Sequence, residues 1–484
     1  MKLLKIKKQT GEKKENKNKE IYRVMYVFMG LFLTLTVFLS YFLIVDSRKV
    51  IDNPYNLRQD NFSKKVVRGK ILGNKGEVLA ETIVEEDGKE IRNYPYANMF
   101  AHVVGYSQNG KTGLEKQANF DLLTSDIPFY EKIYKQFSEE KLPGNQIVTT
   151  LDVDLQKVVY EALGEHNGAV VALEPSTGKI LTMVSKPDYD PNAILEIWED
   201  LTKEGSTDSC LLNRASQGLY PPGSTFKILT ALEYIRENPN TYLDYSYQCK
   251  TGIFSFQNVD IKCYHQKAHG IQDLKEAFAN SCNGAFAQMG SDFNLTQFQQ
   301  LCQTFLFNQE LPVSFASNPS SFTLVEGVPM WEILQSSIGQ GKTEITPLHN
   351  AFIAASVANG GILMKPYLIE KVENVYGAVI ESYMPSFYKT LMTTQEADIL
   401  TEMMKECVTD GTGTGVKSSD YTAAGKTGTA EWDERKKSHA WFVGFAPAEN
   451  PQIVVSIVVE EVGTGSEYAV PIAKKIFDAY LLEK

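Results

Sequence analysis

The sequence predicts an α+β protein: an antiparallel sheet flanked by helices, a small unit before it, and a single N-terminal transmembrane helix. Three observations carry this expectation. Strand-like runs stand at both ends of residues 168–460, with helical periodicity between them. Short β-prone pieces divided by turn signals fill residues 65–94. Val24–Val45 runs 22 residues without a charge.

That uncharged run would span about 33 Å as a helix, enough to cross a hydrocarbon core of about 30 Å. Residues 1–23 hold eight lysines and one arginine against three glutamates, so the tail carries +6 and the rest of the chain −17. Lysines before the run place the N-terminus in the cytoplasm and the body outside it. No small-x-small cleavage site ends the run, which reads as an uncleaved signal anchor. The acidic body argues against nucleic acid as a partner. The expected organisation is a disordered cytoplasmic tail at 1–23, the membrane anchor at 24–45, a small domain at 46–150 and a larger one at 151–484.

In the small domain, Lys65–Val67, Lys70–Leu72, Val78–Ile83 and Glu90–Tyr94 read as strands around Gly73-Asn-Lys-Gly76 and Asp87-Gly88. Helices follow near Gly113–Leu123 and Pro128–Gln136, and Pro143-Gly144-Asn145 breaks the pattern before the helix Val153–Leu163. In the larger domain, Ala169–Leu173 and Lys179–Val184 flank a turn and form a hairpin. Helical stretches run to about Leu301 and from Met330 to Ala358. Ala423–Trp432, His439–Phe445 and Ile453–Glu460 are three closing strands, and Val470–Leu482 is an amphipathic last helix. The first and last strands are expected to meet in one sheet.

The chemistry centres on Gly218–Ile235. Two prolines and a glycine precede Ser224, and the apolar spacing of Phe226, Ile228, Leu229, Leu232 and Ile235 is helical. Ser224 thus stands in the first turn, where free N–H groups favour developing negative charge. Lys227 lies one turn on, and burial that depresses its pKa would make it a base for the hydroxyl. S-x-x-K alone is weak, since Ser138–Lys141, Ser176–Lys179 and Ser386–Lys389 repeat it. Ser281 and Asn283 sit at a helix junction, where a hydroxyl and an amide serve proton relay and peptide binding, or merely cap the helix. Lys426-Thr427-Gly428-Thr429 lies in a strand-like run. Its glycine permits close approach of another backbone or a ligand, and its hydroxyls and cation suit a carboxylate. The triplet K-T-G also occurs at Lys111 and Lys250.

Six cysteines are present. Cys249 and Cys263 flank the β-like segment Gly252–Ile261, and a small disulfide loop or free buried thiols are equally compatible with that spacing. Cys210, Cys282, Cys302 and Cys407 suggest nothing by spacing. His265 and His269 read as a chance solvent-facing pair rather than a zinc site.

Ser224-Thr-Phe-Lys227, Ser281-Cys-Asn283 and Lys426-Thr-Gly428 resemble, in order, the three-motif signature of penicillin-binding proteins and class A β-lactamases. The resemblance extends to Ser337-Ile-Gly-Gln-Gly-Lys342 with Thr346-Pro-Leu. Val66-Val-Arg-Gly-Lys-Ile71 and Arg92-Asn-Tyr-Pro95 with Phe100-Ala-His102 look like the pedestal of class B penicillin-binding proteins, the monofunctional transpeptidases. The departures are Cys282 inside the second motif and Gly73-Asn-Lys-Gly76 at the pedestal turn.

The resemblance implies a serine β-lactamase-like transpeptidase domain and a peptidoglycan D,D-transpeptidase activity on stem peptides ending in D-Ala-D-Ala. It makes Ser224 the nucleophile, Lys227 its base and Ser281 a proton relay. Asn283, Lys426, Thr427, Gly428 and Thr429 become substrate-binding residues, and β-lactams become acylating ligands. It implies no cofactor and no metal, and a polytopic glycosyltransferase as partner in the membrane. A D,D-carboxypeptidase or a β-lactam-hydrolysing or -sensing relative is the alternative.

Overall fold

The computed structural model describes residues 19–46, 63–203, 209–432 and 435–483. Residues 1–18 of the expected tail lie outside the described residues. The described residues divide into two compact units, one on either side of residue 60.

In the first unit a helix covers Lys19–Tyr41 and widens into a π-helical turn at Phe42–Asp46. It begins five residues before the uncharged run. All its residues are exposed within the protein, and it is long and apolar enough to cross a membrane. Thr34 and Thr36 donate their hydroxyls to the carbonyls of Gly30 and Phe32, one turn back. The polar side chains are thereby satisfied inside the helix, as a hydrocarbon environment requires.

The second unit is built on a five-stranded antiparallel sheet. Its strands are β1 (Gly168–Leu173), β2 (Ile180–Lys186), β3 (Ala424–Ala430), β4 (His439–Ala446) and β5 (Ile453–Val459), in the order β3-β4-β5-β1-β2. β5 pairs with β1, so the first and last strands of the domain meet as expected. Side chains alternate between two cores, as the period of two demands. Val170, Ala172, Val455, Ile457 and Val459 pack with helices Val153–Leu163 and Gly465–Leu482. Ala169, Val171, Val454 and Val458 face the other core, with Ile228, Leu232, Leu348 and Phe352. Strands covered on both faces read as continuous apolar runs, which is why β1 and β5 are almost purely aliphatic.

The N-terminal strands form a second, six-stranded sheet, ordered Val379–Ser382, Ile369–Glu373, Gln146–Thr149, Ile71–Leu72, Val78–Val84 and Glu90–Asn93. Its strands at Ile369–Glu373 and Val379–Ser382 come from the stretch between the second and third sequence motifs. The short charged run Ile-Glu-Lys-Val-Glu gives little periodic signal of its own, and its partner Gln146–Thr149 lies more than 200 residues away. The helical stretch expected at Gly113–Leu123 is broken into Gly113–Gln117 and Asn119–Leu122.

Between this sheet and its covering helices, Glu115 is fully buried and holds two arginines. Arg68 Nε donates to it at 2.6 Å and Arg92 Nε at 2.7 Å. Arg68 Nη1 also reaches Asn119, and Arg92 Nη1 the carbonyl of Gly69. Burial pushes the Glu115 carboxyl upward, but the two guanidinium charges and their hydrogen bonds outweigh it and hold it below the ordinary range. Glu115→Ala would leave two buried guanidiniums without their counter-ion and cost about 3–5 kcal/mol, read from urea unfolding. A loss within about 0.5 kcal/mol, as at a surface site, would contradict this arrangement.

Candidate active site

Ser224 lies in a single 3-10 turn, Gly223–Phe226, which leads directly into the helix Lys227–Glu237. The turn is tight because it is wedged against β3. Gly223 has φ +54°, and a Cβ there would stand 2.8 Å from the carbonyl oxygen of Thr429. Gly428 answers from the strand: a Cβ on it would meet Trp441 Cβ at 2.9 Å and the carbonyl oxygen of Pro222 at 3.0 Å. The two glycines let the serine turn lie against the Lys-Thr-Gly strand. Trp441 Nε1 donates to the carbonyl of Pro221 at 3.1 Å and fixes the approach to the turn. Ser224 is half-buried, and its hydroxyl makes no hydrogen bond among the described residues.

Lys227 is completely buried. Its Nζ donates to the carbonyl of Ser281 at 2.8 Å and to Asn283 Oδ1 at 2.7 Å, and lies 3.2 Å from Ser281 Oγ. Ser281 occupies the left-handed region at φ +55°, rare for a residue with a side chain. That backbone turn presents its carbonyl and hydroxyl to the same amine. Asn283 opens the helix Asn283–Asp292 and is tied down by donating Nδ2 to the carbonyl of Lys262 at 2.8 Å.

Lys426 is also completely buried, its Nζ donating to the carbonyl of Thr427 at 3.1 Å and standing 5.5 Å from the ring centre of Phe278. Burial pushes the Lys227 amine well below the ordinary lysine range, and the positive charge of Lys426 lowers it further. Burial likewise lowers Lys426. A neutral amine has two protons and one lone pair. Two donated bonds, to Ser281 O and Asn283 Oδ1, therefore leave the lone pair for a proton arriving from a hydroxyl.

Of the residues singled out in sequence, Lys227, Ser281 and Asn283 are joined by hydrogen bonds, Ser224 stands one turn before Lys227, and Lys426–Thr429 lies in the strand packed against the Ser224 turn. Thr427 is buried and its hydroxyl is hydrogen-bonded to Thr412, whereas Thr429 remains half-buried. Several supports were silent in sequence. Gln340 Nε2 donates to the carbonyl of Thr429 at 3.3 Å, and Phe278 and Phe286 line the two lysines. Gln340 lies inside the Ser337–Lys342 stretch, so that motif was the available signal.

The histidines depart from expectation. His265 and His269 do not form a pair: the exposed His265 ring lies tilted against Tyr264, while His269 lies with Cys249, Cys263 and Cys282. Cys249 and Cys263 are free thiols, as is Cys282, which spacing had left unassigned.

Comparison with known proteins agrees with this fold. The profile of the penicillin binding protein transpeptidase domain matches residues 168–478, and that of the penicillin binding protein A dimerisation domain matches residues 68–147. The peptidoglycan D,D-transpeptidase PbpA of Mycolicibacterium smegmatis is 33% identical over 457 residues, covering 88% of this chain and 90% of that protein. Penicillin-binding protein A from M. tuberculosis, solved as a ceftriaxone acyl-enzyme complex, superposes with a TM-score of 0.80 at 30% identity, over 87% of this chain and 100% of that one. The D,D-transpeptidase domain of a peptidoglycan glycosyltransferase from Eggerthella lenta gives 0.77 at 30% identity, over 86% and 100% of the two chains. A buried lysine amine between a serine turn and a Lys-Thr-Gly strand, on a sheet shared with these structures, places the chain in the penicillin-binding protein transpeptidase family, among its class B members.

Proposed function

We propose that this chain is a serine-type peptidoglycan D,D-transpeptidase that acts through an acyl-enzyme on Ser224 and is acylated by β-lactams. The observation that carries the reading is the buried Lys227 amine, poised beside Ser281 and Asn283 one turn after an unengaged serine hydroxyl.

Ser224 Oγ attacks the carbonyl between the two D-alanines while its proton passes to neutral Lys227 Nζ. The oxyanion of the tetrahedral intermediate sits against the backbone N–H groups of Ser224 and Thr429, each worth about 3–4 kcal/mol of barrier. As the C–N bond breaks, the leaving D-Ala amine takes a proton relayed through Ser281 with Lys426. Asn283 holds the peptide amide, and Lys426, Thr427 and Thr429 hold the terminal carboxylate beside Gly428. An amine of a second stem peptide then attacks the ester, forming the cross-link, and the proton it loses returns to Ser224. Burial of Lys227 serves this cycle because a charged ammonium could not accept the first proton.

The same reading assigns 24–45 to a single-pass anchor with the N-terminus in the cytoplasm and the catalytic body outside. It assigns 46–150 to a pedestal and 151–484 to the transpeptidase domain. The dimerisation-domain profile ends at residue 147 and the transpeptidase profile begins at residue 168, which supports a boundary between them. A polytopic peptidoglycan glycosyltransferase is the partner this architecture would serve.

Ser224→Ala should abolish covalent labelling by a fluorescent penicillin while leaving the melting temperature close to the parent's; labelling that persists would move the nucleophile elsewhere. The acylation rate should also depend on pH through Lys227. The amine is the base only when neutral, so the rate is high above its depressed pKa and falls tenfold per unit below it. Stopped-flow acylation that instead rises only near pH 10, where an ordinary lysine deprotonates, would contradict the assignment of the base.

A further inference from the structure

Four side chains that the transpeptidase chemistry does not use converge behind the second motif. One donor atom each from Cys249, Cys263, His269 and Cys282 lies within 4.8 Å of all the others. Cys263 Sγ and Cys282 Sγ are 3.8 Å apart. A zinc–sulfur bond of about 2.3 Å sets a tetrahedral edge of about 3.8 Å between two thiolates. A covalent disulfide would need about 2.05 Å.

The four residues come from four elements that the backbone gathers deliberately. Cys249 ends the strand Tyr247–Cys249 and pairs with Gly270, which places His269 beside it. Cys263 follows the hairpin Ile253–Phe256 and Val259–Lys262, and its N–H donates to the carbonyl of Gly252 at 2.8 Å. Cys282 caps the helix Asn283–Asp292. His269 Nδ1 is buried without a hydrogen-bond partner among the described residues.

The segment between these ligands has almost no core of its own. From Ser246 to Ile271 the buried side chains are Cys249, Ile261 and Cys263. Besides Ile261, its side chains Tyr247, Phe254, Phe256 and Val259 pack only half-buried against the main core, and small units with so little burial are commonly stapled by a metal.

We infer that Cys249, Cys263, His269 and Cys282 bind one divalent ion of the zinc class as a closed structural site. Binding displaces the three thiol protons to solvent and takes a neutral imidazole nitrogen as fourth ligand. Four protein ligands leave no coordination position for water, so the ion is a staple and not a hydrolytic centre. Its position gives it a second consequence. Cys282 stands between Ser281 and Asn283, the two residues that hold the Lys227 amine. A metal–thiolate bond at Cys282 would therefore fix the left-handed turn at Ser281 and the start of the Asn283 helix. Ligands at 249, 263, 269 and 282 act here as positioning residues.

The test uses the full chain in detergent, purified without chelator, with metal content measured by plasma mass spectrometry. One zinc per chain is expected. Exchange for Co²⁺ should give intense thiolate-to-cobalt charge-transfer absorption and the strong d–d bands of tetrahedral cobalt, a readout that needs no variant. His269→Ala should lower zinc affinity at least tenfold, whereas His269→Cys, which restores a four-ligand set, should retain the ion. Stripping the metal should lower the melting temperature and slow acylation by a fluorescent penicillin, and Zn²⁺ should restore both.

Sub-stoichiometric zinc that added Zn²⁺ does not raise would overturn the site. So would a cobalt spectrum without thiolate bands, or an intact mass two hydrogens lighter that maps to a disulfide among Cys249, Cys263 and Cys282. A stripped protein that keeps both its melting temperature and its acylation rate would overturn the positioning role. Metal content and the cobalt spectrum do not depend on Ser224 being the nucleophile, so failure of the catalytic reading leaves this test intact.

Discussion

An amine cannot be both buried and ordinary. Lys227 has no solvent contact, and the groups around its Nζ are a carbonyl, an amide oxygen and a hydroxyl rather than a carboxylate. Burial, and after it the repulsion from Lys426, outweigh the opposing pull of the nearby thiols and favour the neutral form. The arrangement around the site follows from that requirement. The helix Lys227–Glu237 is sunk into the core, Ser281 adopts a left-handed backbone to bring two oxygens to one nitrogen, and aromatic rings rather than acidic groups line both lysines.

The sheet makes this possible. β3 must lie against the serine turn without a side chain in the way, and at Gly223 and Gly428 a Cβ would collide with the facing segment. β3 is in turn held by β4, whose Trp441 both packs in the core and hydrogen-bonds to the loop before Ser224. Mechanical rigidity and chemical placement therefore share the same residues. The Arg68–Glu115–Arg92 cluster has a comparable role in the N-terminal sheet, where a buried charge fixes the packing of short strands that have little burial of their own.

Much of the architecture was legible because it is written in strong periodic runs. Ile453–Val459 and Gly168–Leu173 are buried on both faces and consist almost entirely of aliphatic residues, and the helix Val153–Leu163 was delimited to the residue. The three candidate motifs stood out through residue order and a family resemblance, since S-x-x-K and K-T-G each recur elsewhere in the chain. What escaped was long-range and weakly patterned. Ile369–Glu373 joins the N-terminal sheet by pairing with Gln146–Thr149, a contact that no local signal announces. The cysteine–histidine cluster escaped for the same reason: its members are separated by 13, 5 and 12 residues, so none of the short paired spacings of familiar metal motifs is present.

The account rests on Lys227 being a neutral amine at neutral pH, and that can be observed directly. NMR of the protein labelled at lysine side chains, titrated from acid to base, follows each amine separately, and Lys227→Met identifies the resonance. The account predicts that the resonance lost in Lys227→Met titrates well below the exposed lysines. A Lys227 signal that moves together with the surface lysines, near the ordinary value of 10.5, would contradict it.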